Sequence, residues 1–116
     1  MKITRIQADA DGVTHFEDRE IPLEPAGTIG RLSGRHPAGA LIFRETSGDY
    51  DFDWHPAPQK QWVVLLDGEI EIETGDGAVR RFVGGDVLQL EDTDGRGHRT
   101  RQINAGTRRS LFIPFA

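Results

Sequence analysis

Cysteine is absent from this sequence, and so are long apolar runs. Without cysteine the chain cannot form disulfides, use a thiolate nucleophile or bind a metal through sulfur. Its longest apolar run, residues 62–66, is far shorter than the roughly 20 residues that a helix needs to cross a bilayer. No apolar segment of the kind found in secretion signals opens the sequence. We therefore expect a cytoplasmic protein that does not insert into a membrane.

A positive charge excess is missing as well, and so are the short motifs of several enzyme classes. The net charge of −5 argues against a general affinity for nucleic acid. The serines stand in no G-x-S-x-G context, and neither G-x-G-x-x-G nor H-E-x-x-H occurs. Hydrophobic residues make up 36% and charged residues 28% of the chain, a mixture typical of a globular protein. We expect one domain that spans residues 1–116.

What the sequence does contain is frequent turn residues. Its 14 glycines and 6 prolines separate short segments, and a turn every eight to twelve residues is typical of an antiparallel sandwich or barrel. No window keeps a helical period over three turns, so we expect minimal helix. Residues 1–30 are predicted to form an N-terminal arm. The predicted strands span residues 40–46, 50–55, 60–66, 69–74, 78–83, 86–91, 98–104 and 108–114.

Two of these strands show how the sheets should be buried. Residues 69–73 alternate strictly between glutamate and isoleucine, which predicts one solvated face and one buried face. Residues 62–66 are apolar on both faces, which is typical of a strand covered on both sides. A second layer of protein or a subunit interface is therefore expected over the latter strand, and we predict a homodimer.

Two segments carry the histidines of greatest interest. In the first, His55 precedes a proline turn and is followed by Gln61 and then Gly68. In the second, Gly85-Asp86 opens a strand, and a glycine-rich loop then leads to His98. Both histidines therefore stand at the borders between turns and strands, where small barrels place ligand-binding residues.

This pair of motifs resembles that of the cupin family, over residues 40–114. The resemblance implies an all-β, cupin-type antiparallel β-barrel, a jelly roll also called a double-stranded β-helix. Cupins that bind metal usually supply three histidines and one glutamate from the barrel interior. In this sequence His55 and His98 stand at two of the four positions, whereas Ala57 and Gln61 stand at the other two.

Three interpretations of these residues are open. In the first, His55, Gln61 and His98 bind a divalent transition metal, with zinc, nickel or iron favoured because imidazole is the remaining ligand type. In the second, His55 and His98 form a metal-free acid–base pair and Gln61 binds the substrate. In the third, both histidines are structural. The weak amide ligand and the missing carboxylate should lower metal affinity relative to a complete site.

Other side chains could complete the site. Gln59 and Asp53 lie close in sequence, and Asp53 shares strand parity with His55, so it is expected to face the same way. Arg44 and Glu45 lie on the strand before the first motif, so one of them must point inward. An inward Glu45 would supply the missing carboxylate.

The predicted function is that of a small-molecule-binding cupin. Its barrel would take a small polar metabolite, with or without a metal, for lyase, isomerase or oxygenase chemistry. The alternative is a non-catalytic, metal-free ligand-binding or sensing protein. The fold cannot distinguish these possibilities, because function depends on the residues of the site.

Overall fold

The computed structural model describes all residues 1–116 and is dominated by strands. The one helical segment is a short 3₁₀ helix at Gly27–Ile29, and no helix is long and apolar enough to cross a membrane. In chain order the strands are β1 (Lys2–Ala8), β2 (Thr14–Glu20), β3 (Glu24–Pro25), β4 (Arg31–Leu32), β5 (Ile42–Thr46), β6 (Asp51–His55), β7 (Gln61–Leu65), β8 (Glu69–Glu73), β9 (Val79–Val83), β10 (Val87–Leu90), β11 (His98–Gln102) and β12 (Arg108–Pro114).

These strands form two main sheets. The larger has the order β2-β1-β10-β7-β12-β5, the smaller has the order β6-β11-β8-β9, and β3 with β4 makes a separate two-stranded ribbon. Every pairing is antiparallel except that of β1 with β10. The predicted all-β jelly roll is confirmed, and the predicted strands between residues 40 and 114 correspond to β5 through β12.

The N-terminal segment is more regular than an arm. Strand β1 pairs along its whole length with β2, and it also joins β10 through residues such as Thr4 and Ile6. Ile6 is fully buried and belongs to the core. The segment therefore extends the larger sheet and contributes to the apolar interior.

The core lies between the two sheets. The alternation of β8 directs Ile70 and Ile72 inward, both of them buried, and leaves its glutamates partly exposed. Burying an isoleucine side chain completely contributes roughly 1.5–3 kcal/mol. Nine buried apolar residues form one cluster: Ile6, Ala57, Val63, Leu65, Ile70, Ile72, Phe82, Leu88 and Leu90.

Strand β7 is apolar on both faces because other parts of the protein cover it on both sides. Val63 and Leu65 face the core. On the opposite face, the Trp62 ring contacts His36 edge-on, with 5.7 Å between ring centroids, and contacts Phe115 at 5.5 Å. The chain itself therefore supplies cover at the Trp62 end of this face.

Candidate functional site

His55 owes its orientation to an irregularity in β6. His55 pairs with His98, and Phe52 pairs with Thr100, so β6 has one residue more than β11 between the two pairs. This β-bulge shifts the strand parity and brings the rings of Phe52 and His55 together, with centroids 3.8 Å apart. The parity that predicted Asp53 beside His55 is therefore broken, and the Asp53 side chain is exposed. Only the Asp53 backbone carbonyl reaches His55, where it accepts a hydrogen bond from Nδ1 at 2.7 Å.

A glycine allows β11 to start directly against this segment. Gly97 has a φ of +79°, and a Cβ atom placed there would lie 1.9 Å from the His55 carbonyl oxygen. No side chain can occupy that space without moving one of the two strands. Gly97 therefore makes possible the close approach that brings His98 next to His55.

His98 is held from behind by a buried carboxylate. Its side chain is almost completely buried, and Nδ1 lies 2.5 Å from Oδ2 of Asp92, which has no exposure at all. Since a carboxylate oxygen accepts hydrogen bonds, this contact favours the His98 tautomer that carries its proton on Nδ1. The Asp92 backbone carbonyl in turn accepts a 2.9 Å hydrogen bond from the Ala57 N–H, which ties the Asp92 loop to the turn after His55.

The two imidazoles face each other, with ring centroids 4.8 Å apart. Nδ1 of His55 bonds to the Asp53 carbonyl, and Nδ1 of His98 bonds to the Asp92 carboxylate. Nε2 is therefore left without a hydrogen-bond partner on both rings. Burial lowers the pKa of His55 below its ordinary value of 6.5; the Asp53 carbonyl opposes this shift, and charge on His98 adds to it. A neutral His55 with a free Nε2 can accept a proton.

Both histidines line a cavity of about 60 Å³ between the sheets. Apolar residues of the core form part of its wall: Val63, Ile70, Ile72, Leu88 and Leu90. The polar part of the wall includes Thr100, Tyr50 and two arginines, Arg44 and Arg108. No aspartate or glutamate lines this cavity. A cavity this small with polar groups in its wall suits a small polar ligand.

Arg108 is built into the wall by its neighbours. It is 2% exposed, and its Nε donates a 3.3 Å hydrogen bond to Oε1 of Gln102, whose own Nε2 donates to the Gly106 carbonyl at 2.6 Å. Gly68 lies against the aliphatic stem, since a Cβ there would be 3.1 Å from Cγ of Arg108. Burial lowers the pKa of Arg108, and the positive charge of Arg44 adds to this shift.

Besides Asp53, three predicted site residues lie outside the cavity. Gln61 is buried but does not belong to the cavity wall, and Gln59 is exposed in the turn before β7. Glu45 is exposed because its neighbour Arg44 takes the inward position of β5. The expectation of an inward carboxylate on β5 is therefore wrong, and a cation stands in that place.

The predicted metal-ligand set is not assembled in this structure. His55 and His98 come together, but Gln61 does not join them at the cavity. No group of three or more histidine, aspartate or glutamate side chains is arranged to hold a metal ion. The cavity instead holds two cationic side chains, Arg44 and Arg108, which repel a divalent cation.

Sequence reasoning missed Asp92 and did not place Arg44 or Arg108 in the site. Asp92 lies in the loop six residues before His98, and an acidic loop residue there looks solvated. The strand parity of Arg108 with Phe112 was the available signal, because alternate residues of a barrel strand face inward. Without the register of β12, that parity does not say which face is the inner one.

Comparisons with known proteins identify the fold. No protein-family model matches the sequence, and no curated protein does. Among solved structures, the chain is similar to the cupin domain of Schizosaccharomyces pombe Cnp3, at 13% identity over 99% of this chain and 88% of that chain, with a TM-score of 0.54. It is also similar to SPY1581, a protein of unknown function from Streptococcus pyogenes, at 19% identity over 72% of this chain and 68% of that chain, with a TM-score of 0.50.

Proposed function

We propose that this chain, whose fold is that of the cupins, binds a small polar metabolite in the cavity between its sheets and transfers protons to and from it. The observation that carries the proposal is the pair of imidazoles at the cavity, His55 and His98, 4.8 Å apart and each with a free Nε2. Two such groups beside one ligand can remove a proton at one position and return it at another. An isomerase that moves a proton between two positions of its substrate uses such a pair of groups.

The two histidines differ in their surroundings, and so do their proposed roles. Asp92 is a positioning residue: it orients His98 and stabilises the imidazolium that forms when Nε2 takes up a proton. His55 has no carboxylate partner, and burial favours its neutral form by lowering its pKa. We assign the proton abstraction to Nε2 of His98, which becomes imidazolium. Nε2 of His55 takes the proton over from it and returns it at the second position of the ligand, so that both rings end neutral.

A zinc, nickel or iron centre does not fit these residues. Such an ion would have two imidazoles and no anionic ligand at the cavity, and it would share the space with the guanidinium groups of Arg44 and Arg108. A site with these donors binds a divalent ion weakly, because its charge is not offset. No step of the proposed chemistry depends on a metal.

A non-catalytic ligand-binding or sensing function is the second candidate. His98 is only 4% exposed and the cavity is small, which favours slow exchange of whatever is bound. Slow exchange suits a sensor better than an enzyme that must release its product at every turnover.

A thermal-shift panel of small polar metabolites tests the binding proposal. We expect at least one compound to raise the melting temperature of the wild-type protein, and we expect His55→Gln to reduce that shift. His36→Gln is the matched control, because His36 packs on the outer face against Trp62. If no compound stabilises the protein, or if both variants reduce the shift equally, the cavity is not the binding site.

Solvent isotope exchange separates the two candidates. A compound from the panel is incubated with the protein in D₂O, and proton NMR follows the incorporation of deuterium. Proton transfer predicts incorporation that is lost in His98→Gln. Binding without incorporation would favour the sensor and overturn the enzyme.

We also propose a homodimer, formed through the edge of the larger sheet. Strand β5 is at this edge and pairs only with β12, so one side of its backbone is free. Apolar side chains lie at that edge: Phe43 is 77% exposed, and Leu41 and Ile42 are exposed as well. A second copy that pairs along β5 would cover them.

Light scattering at micromolar concentration checks the dimer. Wild type should give twice the monomer mass, and Phe43→Ser should shift the population toward monomer. Val79→Ser is the control, because Val79 is also apolar and exposed, at 50%, but lies on β9 of the other sheet. A monomeric wild type would contradict this interface.

A further inference from the structure

The two arginines of the cavity have no anionic partner. Neither Arg44 nor Arg108 forms an ion pair with any carboxylate of the chain. The Arg108 guanidinium uses only Nε in a side-chain hydrogen bond. The Arg44 guanidinium uses none of its N–H groups. A guanidinium offers five donors in a fixed fork, so most of the donor capacity at this cavity is unused.

We infer that the ligand of this cavity is an organic acid whose carboxylate lies between the guanidinium groups of Arg44 and Arg108. The inference rests on the proposed function, since it names the class of ligand for the same site. A carboxylate matches the guanidinium fork with two parallel hydrogen bonds and offsets both positive charges.

Aromatic rings hold the arginines in position before any ligand arrives. The Arg44 guanidinium lies over the rings of Tyr50 and Phe112, at 5.1 and 5.0 Å from their centroids. Arg108 lies 5.7 Å from the centroid of the same Tyr50 ring. A guanidinium stacked on a ring keeps its N–H edges free for hydrogen bonds. The two donor groups are thus gathered around one tyrosine.

No carboxylate of the chain lines the cavity at this position. Asp92, the buried carboxylate nearest the histidines, is already bonded to His98 and does not line the cavity. Two like charges beside a poorly solvated space repel each other, and burial of Arg108 makes its charge harder to solvate. An anion from outside relieves both effects.

The form of the donors favours a carboxylate over other oxyanions. Two guanidinium groups border the cavity, and a planar carboxylate matches a guanidinium with two parallel hydrogen bonds. The imidazoles border the same cavity, so the carbon next to the bound carboxylate would lie on their side. A carboxylate acidifies that carbon only weakly, and the paired arginines strengthen the effect by stabilising negative charge that develops on the carboxylate oxygens.

Calorimetric titration with acetate, acetamide and inorganic phosphate tests the inference. Acetamide has nearly the shape of acetate without its charge. We expect saturable binding of acetate at one site, no detectable binding of acetamide, and an affinity for acetate that falls at least tenfold in Arg44→Gln. Arg44→Lys should recover part of this loss, because it keeps the charge but not the fork.

Arg109→Gln is the matched control. Arg109 neighbours Arg108 in β12 but points outward, where it bonds to Asp67 at 2.7 Å. The Arg109→Gln variant should bind acetate as the wild type does. Equal binding of acetamide, or an equal loss in Arg109→Gln and Arg44→Gln, would overturn the inference. Phosphate bound in place of acetate with the same dependence on Arg44 would also overturn it, in favour of a phosphorylated ligand.

The outcomes also distinguish this inference from the proposed function. If neither anion binds but a neutral metabolite of the thermal-shift panel stabilises the protein in a His55-dependent way, the cavity is a ligand site and the carboxylate assignment is wrong. If nothing binds, both proposals fail.

Discussion

Cationic side chains have opposite surroundings on the outer face of the smaller sheet and in the cavity between the sheets. On the outer face, Arg101 lies 2.9 Å from Glu71, and Arg99 lies 3.5 Å from Asp51. In the cavity, Arg44 and Arg108 have aromatic neighbours and no carboxylate. The outer charges are neutralised by the chain itself, whereas the inner charges have no such partner.

The solvent explains why the two regions can differ so strongly. Water screens the exposed pairs, so each contributes little to stability and none is needed for the fold. A charge next to the cavity is less well solvated, and an anion placed there is bound more strongly for the same reason. The comparison therefore separates charges that keep the protein soluble from charges that can recognise a molecule.

The largest loss of stability is expected from placing a side chain where β11 approaches β6. Gly97→Ala places a methyl group where the His55 carbonyl lies and should destabilise the protein by more than about 4 kcal/mol or displace His98. Gly77→Ala has the same backbone strain at φ +87° but meets no atom within 4 Å, so it should cost only about 1–2 kcal/mol. Urea denaturation measures both. Equal losses would mean that the close approach is not required.

Breaking the buried contact between His98 and Asp92 should produce the next largest loss of stability. Asp92→Ala leaves the His98 Nδ1–H without a buried acceptor and should cost about 2 kcal/mol. Asp94→Ala, in the exposed part of the same loop, should be close to neutral. Nitrogen-15 NMR of the imidazole gives a second readout, because the Nδ1–H tautomer of His98 should lose its dominance only in Asp92→Ala. An unchanged tautomer would show that Asp92 does not orient the ring.

Removing an arginine should change the free energy of unfolding in opposite directions in the two regions. Arg101→Gln breaks a surface ion pair and should destabilise by less than about 1 kcal/mol. Arg44→Met removes one of two repelling charges at the cavity and should stabilise the ligand-free protein by about 0.5–1 kcal/mol. Denaturation in ligand-free buffer measures the two variants side by side. A destabilising Arg44→Met would mean that the empty cavity does not carry unrelieved charge.

The smallest effect concerns pH and compares His55 with His15. The folded-state pKa of His55 is lowered, mainly by burial, so the unfolded chain takes up the proton first and stability declines as pH falls below 6.5 toward the folded value. The pKa of His15 is raised, first by its hydrogen bond with Asp9, so its contribution is present at acidic pH and is lost as pH rises through the folded value. His55→Gln should remove the first dependence and His15→Gln the second. Stability curves that shift in the same direction in both variants would contradict these assignments.

The strands could be predicted from the sequence because their signals are local. Turn residues mark their ends, and the alternation at 69–73 gives the buried face. The motifs also predicted that His55 and His98 would meet, and the structure brings them together. That the pair serves a ligand stays a prediction.

The remainder of the site depends on register, which a sequence does not show. The bulge at β6 reverses the parity that favoured Asp53, and the register of β5 decides between Arg44 and Glu45. Asp92 is buried in a loop that bonds to Ala57 and to His98, two contacts that join segments distant in sequence or conformation. From a single sequence Asp92 looks solvated, since aspartate is mostly exposed, and the choice between Arg44 and Glu45 as the inward residue stays open.

A crystal structure of the protein grown with acetate as the main anion tests the central claim most directly. We predict electron density for one carboxylate within hydrogen-bond distance of both Arg44 and Arg108, with Nε2 of His55 and His98 facing the same space. A cavity without an anion, or anomalous scattering from a metal ion between the two histidines, would contradict it.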